Sequence, residues 1–298
     1  DLPITYAEAK KEGKADSITW ANCDPTTGRI RFPSVYAPPC VPEPEGSNGG
    51  ATYPGVTASS IKVVYYTAPP GDLTSAISGN LDPPEAVAAS VKQYLKLFEA
   101  TFETYGRKVE IVPMTGSGVS TDETAARADA VKVATQIKAF ASIGGPSQTT
   151  AYQHELARQG VLCIGCGLAA TDDVLTVDAP YVWGHLATPD QILFGTFSFG
   201  TDLLFGSKAK FAGDPELRER DRRFGIVHYE QDPPIFGPLK EEAIATYEAQ
   251  GISVDTIIQY VLDPNSLNSQ AQAIIGRLKR DGVTSVVFLG DPLMPRLL

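Results

Sequence analysis

The sequence predicts an α/β protein made of two units, each a parallel sheet flanked by helices. Three observations carry this. Short β-branched runs alternate with amphipathic stretches from residue 56 onward. The alternation breaks off in a charged stretch at 208–223 and then restarts. Glycines, prolines and cap residues separate the runs, as repeated strand–helix–strand units require.

The elements follow in chain order. Residues 61–67 (IKVVYYT) read as a strand. Asp82-Pro83-Pro84 then supplies an N-cap and first-turn prolines for a helix whose stripe is Val87, Val91, Leu95, Phe98 and Phe102. A strand at 109–112 precedes a Gly/Ser/Thr loop and a helix with Ala126, Ala130, Val133 and Ile137 on one face. Residues 140–143 are a strand, 149–159 a helix stopped by Gly160, and 161–164 the next strand. A short strand at 181–183 and a helix at 191–204 complete the first unit. The second unit has a strand at 224–228, a helix at 239–249 ended by Gly251, and a strand at 256–261. A helix carrying Leu267, Ala271, Ile274 and Leu278 stops at Gly282, and 285–289 is the last strand.

At 298 residues the chain can bury a sizeable core, and 43% hydrophobic with 20% charged residues is ordinary for a globular protein. The net charge of −10 and the lack of any Lys/Arg block argue against a nucleic-acid partner. The longest apolar stretch, 192–205, is interrupted by Gly195, Gly200 and Asp202 and falls short of the roughly 20 apolar residues that cross a bilayer. Residues 38–54 hold eight prolines and glycines in 17 positions and read as a linker closing an N-terminal extension. That extension, 1–54, has too few periodic apolar residues for a core of its own. The first unit is assigned to 55–212 and the second to 213–298.

Four cysteines allow three pairings, and sequence separation favours Cys23–Cys40 and Cys163–Cys166. The even count and acidic balance suit an extracytoplasmic protein, whose leader would be removed or outside this sequence. A Cys23–Cys40 bridge would add about 3 kcal/mol by chain-entropy reasoning.

Motifs for catalysis are sparse. Gly116-Ser117-Gly118 lacks the third glycine of a dinucleotide fingerprint, and no GxxxxGK[ST] or GxSxG occurs. His154-Glu155 lacks the second histidine of a zinc protease, and nothing in the sequence implies a metal or cofactor. Cys163-Ile164-Gly165-Cys166 is the sharpest enzyme-like signal. As a thiol–disulfide site it needs an exposed thiol of lowered pKa at Cys163; as a structural bridge it needs neither. Ligands in parallel sheets bind beyond the carboxyl ends of the strands. That rule nominates five stretches: 67–72, 144–149, 165–172, 229–232 and 290–292.

The segment FASIGGPSQTTAYQHELARQGVLCIGCG, followed by LAAT, resembles the type I periplasmic solute-binding proteins of ABC importers, particularly the branched-chain amino-acid (Leu/Ile/Val-binding) family. GVTASSIKVVYYTAPPGD is similar to that family's first strand, and RFGIVHYEQ, FGPLKEEA and VTSVVFLGD to its second lobe. The order and spacing of these pieces carry the resemblance, which covers about 55–291. It implies a two-lobed fold that closes around a small ligand, an amino acid or related small carboxylate, for delivery to a membrane permease without bond chemistry. A ligand-sensing receptor ectodomain would share the same layout. In the family the ligand's carboxylate meets a hydroxyl and backbone N–H groups after the Gly-Gly turn, which falls on Ser147 here; Ala169, Ala170 and Thr171 would add a second polar contact. From the other rim Tyr229, Asp232, Phe236 and Asp291 would face them, with Asp232 or Asp291 accepting from an ammonium. Phe236-Gly237 stands where a tyrosine often precedes the glycine, which removes a hydroxyl. The chain ends soon after the second lobe's third strand, as a fragment or a reduced second lobe would.

Overall fold

A computed structural model of the chain describes residues 3–72, 84–166, 170–230, 236–254, 256–263 and 265–298. Its first sheet has five parallel strands: β3 (Ser60–Thr67), β4 (Lys108–Thr115), β5 (Ala141–Ile143), β6 (Leu162–Ile164) and β7 (Val182–Trp183). They lie side by side in the order β4-β3-β5-β6-β7. The second sheet has three parallel strands, β8 (Phe224–Tyr229), β9 (Thr256–Tyr260) and β10 (Ser285–Leu289), with β8 in the middle. Both units therefore follow the predicted alternation, and both reverse strand order beside their first strand. At such a reversal two connections leave in opposite directions and open a crevice at the carboxyl ends.

Strand β8 is buried along its whole length. Phe224 and Ile226 pack under Leu239, Ala243 and Tyr247 on one face, and Val227 and Tyr229 under Leu267, Ala271 and Ile274 on the other. A central strand covered on both faces reads as a nearly continuous apolar run, interrupted here only by His228, which is why its sequence shows no alternation. In the first unit Val64, Tyr66 and Met114 meet Ala126, Ala130, Val133, Tyr152 and Leu156. The opposite face is less well covered: Ile143 is 39% and Ile164 40% exposed. The helix Pro84–Thr101 half-buries Val87, Val91 and Leu95 while Tyr94 and Leu97 stay exposed. Its expected N-cap, Asp82, lies outside the described residues.

Both cysteine pairs are bridged, with Cα atoms 5.4 Å apart for Cys23–Cys40 and 5.7 Å for Cys163–Cys166. The first bridge crosses a segment with more structure than its weak periodicity suggested: a helix at Tyr6–Lys11 closed by a Thr5/Glu8 capping box, and a hairpin pairing β1 (Cys23–Asp24) with β2 (Arg29–Ile30). That segment is pinned to the first unit. Arg107 donates from Nη2 to Asn48 O at 2.5 Å and to Gly50 O at 3.1 Å; Tyr53 OH donates to Gly160 O at 2.9 Å; Phe32 meets Phe102 at 5.8 Å. Arg107 and Gly160 precede β4 and β6, so the extension sits at the amino ends of the strands and leaves the carboxyl edge open. A second unforeseen element, the helix Asp172–Val177, follows the 165–172 stretch.

Candidate functional site

A cleft of about 260 Å³ opens between the two units at the carboxyl ends of their strands. The first unit lines it with Gly165, Ala170, Leu175 and the run Gly184, His185, Leu186, Ala187, Thr188, Pro189, reaching Ile192. The second supplies Phe236, Leu239, Phe288, Leu289 and Gly290. Beside it the two units are joined directly: Tyr229 OH donates to Gln148 Oε1 at 3.1 Å, and both residues are buried.

Short-range chemistry fixes the first-unit rim. Thr188 caps the helix Pro189–Phe199, its Oγ1 accepting from Gln191 N at 3.2 Å and donating to Asp172 Oδ1 at 2.6 Å. Asp190 Oδ2 in turn accepts from Asp172 N at 3.1 Å, so two helix starts are locked together at the rim. Deeper in, Asp129 Oδ2 accepts from Tyr66 OH at 3.3 Å and Ser117 N at 2.9 Å. Asp72, at the end of the 67–72 stretch, accepts from Ser120 N at 2.7 Å and from Ser120 Oγ at 2.8 Å. Gly165, with φ +62°, leaves room that a Cβ would fill: one built there stands 2.3 Å from His185 Nδ1. The glycine of the CxxC motif thus seats the histidine at the cleft wall.

The second-unit rim is aromatic. Tyr229 lies 5.9 Å from Phe236 and 5.8 Å from Tyr260, and Tyr260 stacks on Phe288 at 5.9 Å. Burial pushes the Tyr229 hydroxyl up to about 12, with the nearby Asp291 and Glu230 charges adding to it. Tyr260 is raised further by burial and by its hydrogen bond to Asp291 Oδ2. His228 is buried in β8 and its imidazole is held below the usual range by desolvation.

The sequence-nominated residues fall as follows. Ala170 and Phe236 line the cleft. Ser147 is half-buried beside Gln148, whose side chain crosses to Tyr229. Thr171 takes the N-cap position of Asp172–Val177 without a side-chain cap bond. Ala169 and Asp232 lie outside the described residues. Asp291 is turned inward: Oδ1 accepts from Leu293 N at 2.6 Å and Met294 N at 3.1 Å, and Oδ2 from Tyr260. Cys163 and Cys166 are bridged, with 0% and 2% exposure. The thiol–disulfide alternative called for an exposed thiol at Cys163, and burial removes the path by which a thiolate attacks a sulfur.

Sequence reasoning missed the run 184–189. It too follows the carboxyl end of a strand, β7, but that strand has only two residues and gave no nomination. Thr188-Pro189, a cap residue before a first-turn proline, was the signal that marked the rim. Among the described residues no group of three or more His, Cys, Asp or Glu side chains gathers as metal ligands would. No described helix is long and apolar enough to cross a membrane.

No family model matches the sequence, and no curated protein matches it significantly. Among solved structures the fold is similar to a fatty acid ABC transporter substrate-binding protein from Thermomonospora curvata, with TM-score 0.53 and 19% identity over 84% of this chain and 55% of that one. It is also similar to a solute-binding protein of an ABC transporter from Rhodopseudomonas palustris HaA2 in complex with p-hydroxybenzoic acid, with TM-score 0.53 and 18% identity over 80% and 55%. A third likeness, at TM-score 0.51 and 17% identity over 78% and 54%, is a solute-binding protein from R. palustris in complex with 4-hydroxybenzoate. The chain thus spans about 55% of the length of these structures. Two helix-flanked parallel sheets facing one another across a cleft make this the type I periplasmic-binding-protein fold, and the structures it resembles are substrate-binding proteins of ABC transporters.

Proposed function

We propose that this chain is the ligand-gripping part of an extracytoplasmic solute-binding protein, which holds a small carboxylate or amino acid between its lobes and presents it to the membrane permease of an ABC importer. One observation carries the reading: a cleft lined from both units at the carboxyl ends of their strands, where this class of sheet binds ligands. A ligand touching both walls stabilises only the closed arrangement, so capture and closure are one event. Two intact disulfides fit a protein that works outside the reducing cytoplasm. The reading is supported further by the fold's likeness to substrate-binding proteins, two of them holding hydroxybenzoates.

In this reading Ser147 meets the ligand's anionic oxygen, with Ala170 and Thr171 contributing backbone groups. Thermal-shift screening against small carboxylates, amides and amino acids tests the function, with stabilisation expected from at least one carboxylate. Ser147→Ala should cost about 1–3 kcal/mol of binding by calorimetry if its hydroxyl meets a charged oxygen, and leave the melting temperature of the free protein nearly unchanged. A screen without any stabilising compound refutes the function; an unchanged affinity in the variant removes Ser147 from the site.

A further inference from the structure

We infer that the buried Cys163–Cys166 bridge and the glycine inside it are the positioning device of the proposed site: they hold three loops of the first-unit rim against one another and fix where His185 stands in the cleft wall. The CxxC motif then has a task that needs no reactive thiol. That task serves the proposed binding function and rests on it. Strands β5, β6 and β7 have only three, three and two residues, so few ladder bonds hold the loops that leave their carboxyl ends. The first of these loops carries Ser147, the second leads to Ala170 and Thr171, and the third carries His185. The CxxC turn lies between the first and the third and touches both.

On one side Gly144 N donates to Ile164 O at 3.1 Å. A Cβ built at Gly145 would stand 2.6 Å from Cys166 O and 3.2 Å from Cys166 Cβ. On the other side Gly165 N donates to Trp183 O at 2.8 Å. A Cβ built at Gly165 would stand 2.3 Å from Nδ1 and 2.6 Å from Cε1 of the His185 ring, and both residues line the cleft. Gly165 is required twice over: its φ of +62° is left-handed, and the imidazole fills the space a side chain would take.

Such close packing positions a ring only if the turn beneath it stays put. The bridge ties Cys166 to Cys163, which is paired with Ser142 on one side and Val182 on the other, so only Ile164 and Gly165 lie between fixed ends. A crosslink over so few residues leaves the turn few alternatives. Loops already set in one arrangement lose less entropy when a ligand arrives. With its cysteines 0% and 2% exposed, the bridge is a standing clamp rather than a switch.

All measurements are made on the full chain without ligand. The three histidines give three imidazole signals in NMR, and His185→Ala identifies the one from His185. Cys163→Ala/Cys166→Ala should shift and broaden that signal and leave the signal of His228, in the other lobe, in place. Amide hydrogen exchange should quicken at least ten-fold in 144–149 and 184–189, and less than two-fold in β8. Gly165→Ala keeps the bridge and should also displace the His185 signal; it decides alone if the double variant does not fold. Gly165→Ala should quicken exchange in 184–189 at least five-fold in the parent chain. In the His185→Ala background, where the added methyl has room, the increase should be no more than two-fold. An unmoved His185 signal with unchanged exchange overturns the inference, and so does loosening that spreads equally to β8. Either result leaves the binding function standing. A negative ligand screen on a chain whose His185 behaves as described refutes the function and leaves the clamp.

Discussion

On the first-lobe side of the cleft, loops are held by carboxylates that accept from neighbouring loops: Asp129 from Tyr66 and Ser117, Asp72 from Ser120, Asp172 from Thr188. On the second-lobe side the rim is a stack of rings, Phe236, Tyr229, Tyr260 and Phe288, with Tyr260 tied to Asp291. The reason lies in the sheets. Strands β5 and β6 have three residues each and β7 two, so the loops beyond them, where Asp172 holds Thr188, are stabilised by their own polar contacts. The loops held by Asp129 and Asp72 follow the eight-residue strands β3 and β4. In the second lobe five- and six-residue strands carry aromatic side chains up to the edge, and packing does the same work. The lesson is that one lobe shapes a polar frame while the other provides the apolar wall.

The comparison breaks most readily at its carboxylates. Asp291→Ala strips the acceptor from Tyr260 and from two backbone N–H groups in a site 7% exposed, and should cost about 4 kcal/mol. Asp72→Ala removes the acceptor from Ser120 N and Oγ and should cost about 2–3 kcal/mol. Urea unfolding gives the totals, and hydrogen exchange should place the loosening in 256–298 for the first variant and in the 115–121 loop for the second. Equal and global loosening by both would mean the lobes do not differ as described.

A smaller effect of opposite sign is expected at Tyr247. Its hydroxyl is buried beneath Gly200 without a hydrogen-bond partner among the described residues, and burial pushes it up to about 12. Tyr247→Phe should therefore stabilise the second lobe by about 1–2 kcal/mol. The pH dependence has a definite sign. The folded protein keeps this proton to higher pH than an unfolded tyrosine, which ionises near pH 10. Stability from this group is full below about pH 10 and falls as pH rises toward 12. Alkaline melting curves should show a shallower loss between pH 10 and 12 in Tyr247→Phe than in the parent chain.

The smallest effect sharpens the comparison where the two lobes touch. Tyr229→Phe deletes the bond to Gln148 and should cost about 1 kcal/mol of closure, lowering ligand affinity roughly five-fold. Small-angle scattering of the free variant should show a more open molecule. An unchanged profile and affinity would mean that this bond does not set the lobe equilibrium.

The sequence by itself determined the alternation of strands and helices, the split into two units, the pairing of Cys163 with Cys166 and the edge on which the cleft lies. These follow from local signals, because periodicity, caps and the short span between two cysteines act over a few residues. The rule that ligands gather beyond strand ends also pointed to Ala170, and the family resemblance to Phe236, both of which line the cleft. Tertiary structure alone decided that the extension docks at the amino ends, since Arg107 and Tyr53 reach partners 57 and 107 residues away in the chain. It decided that the run 184–189 forms a wall: the sequence shows a short strand at 181–183, but only the pairing of β7 with β6 puts its carboxyl end at the cleft. It decided as well that Asp291 serves the fold: whether a carboxylate faces a cleft or a backbone N–H depends on where Tyr260 and Met294 arrive, and no local pattern encodes that meeting.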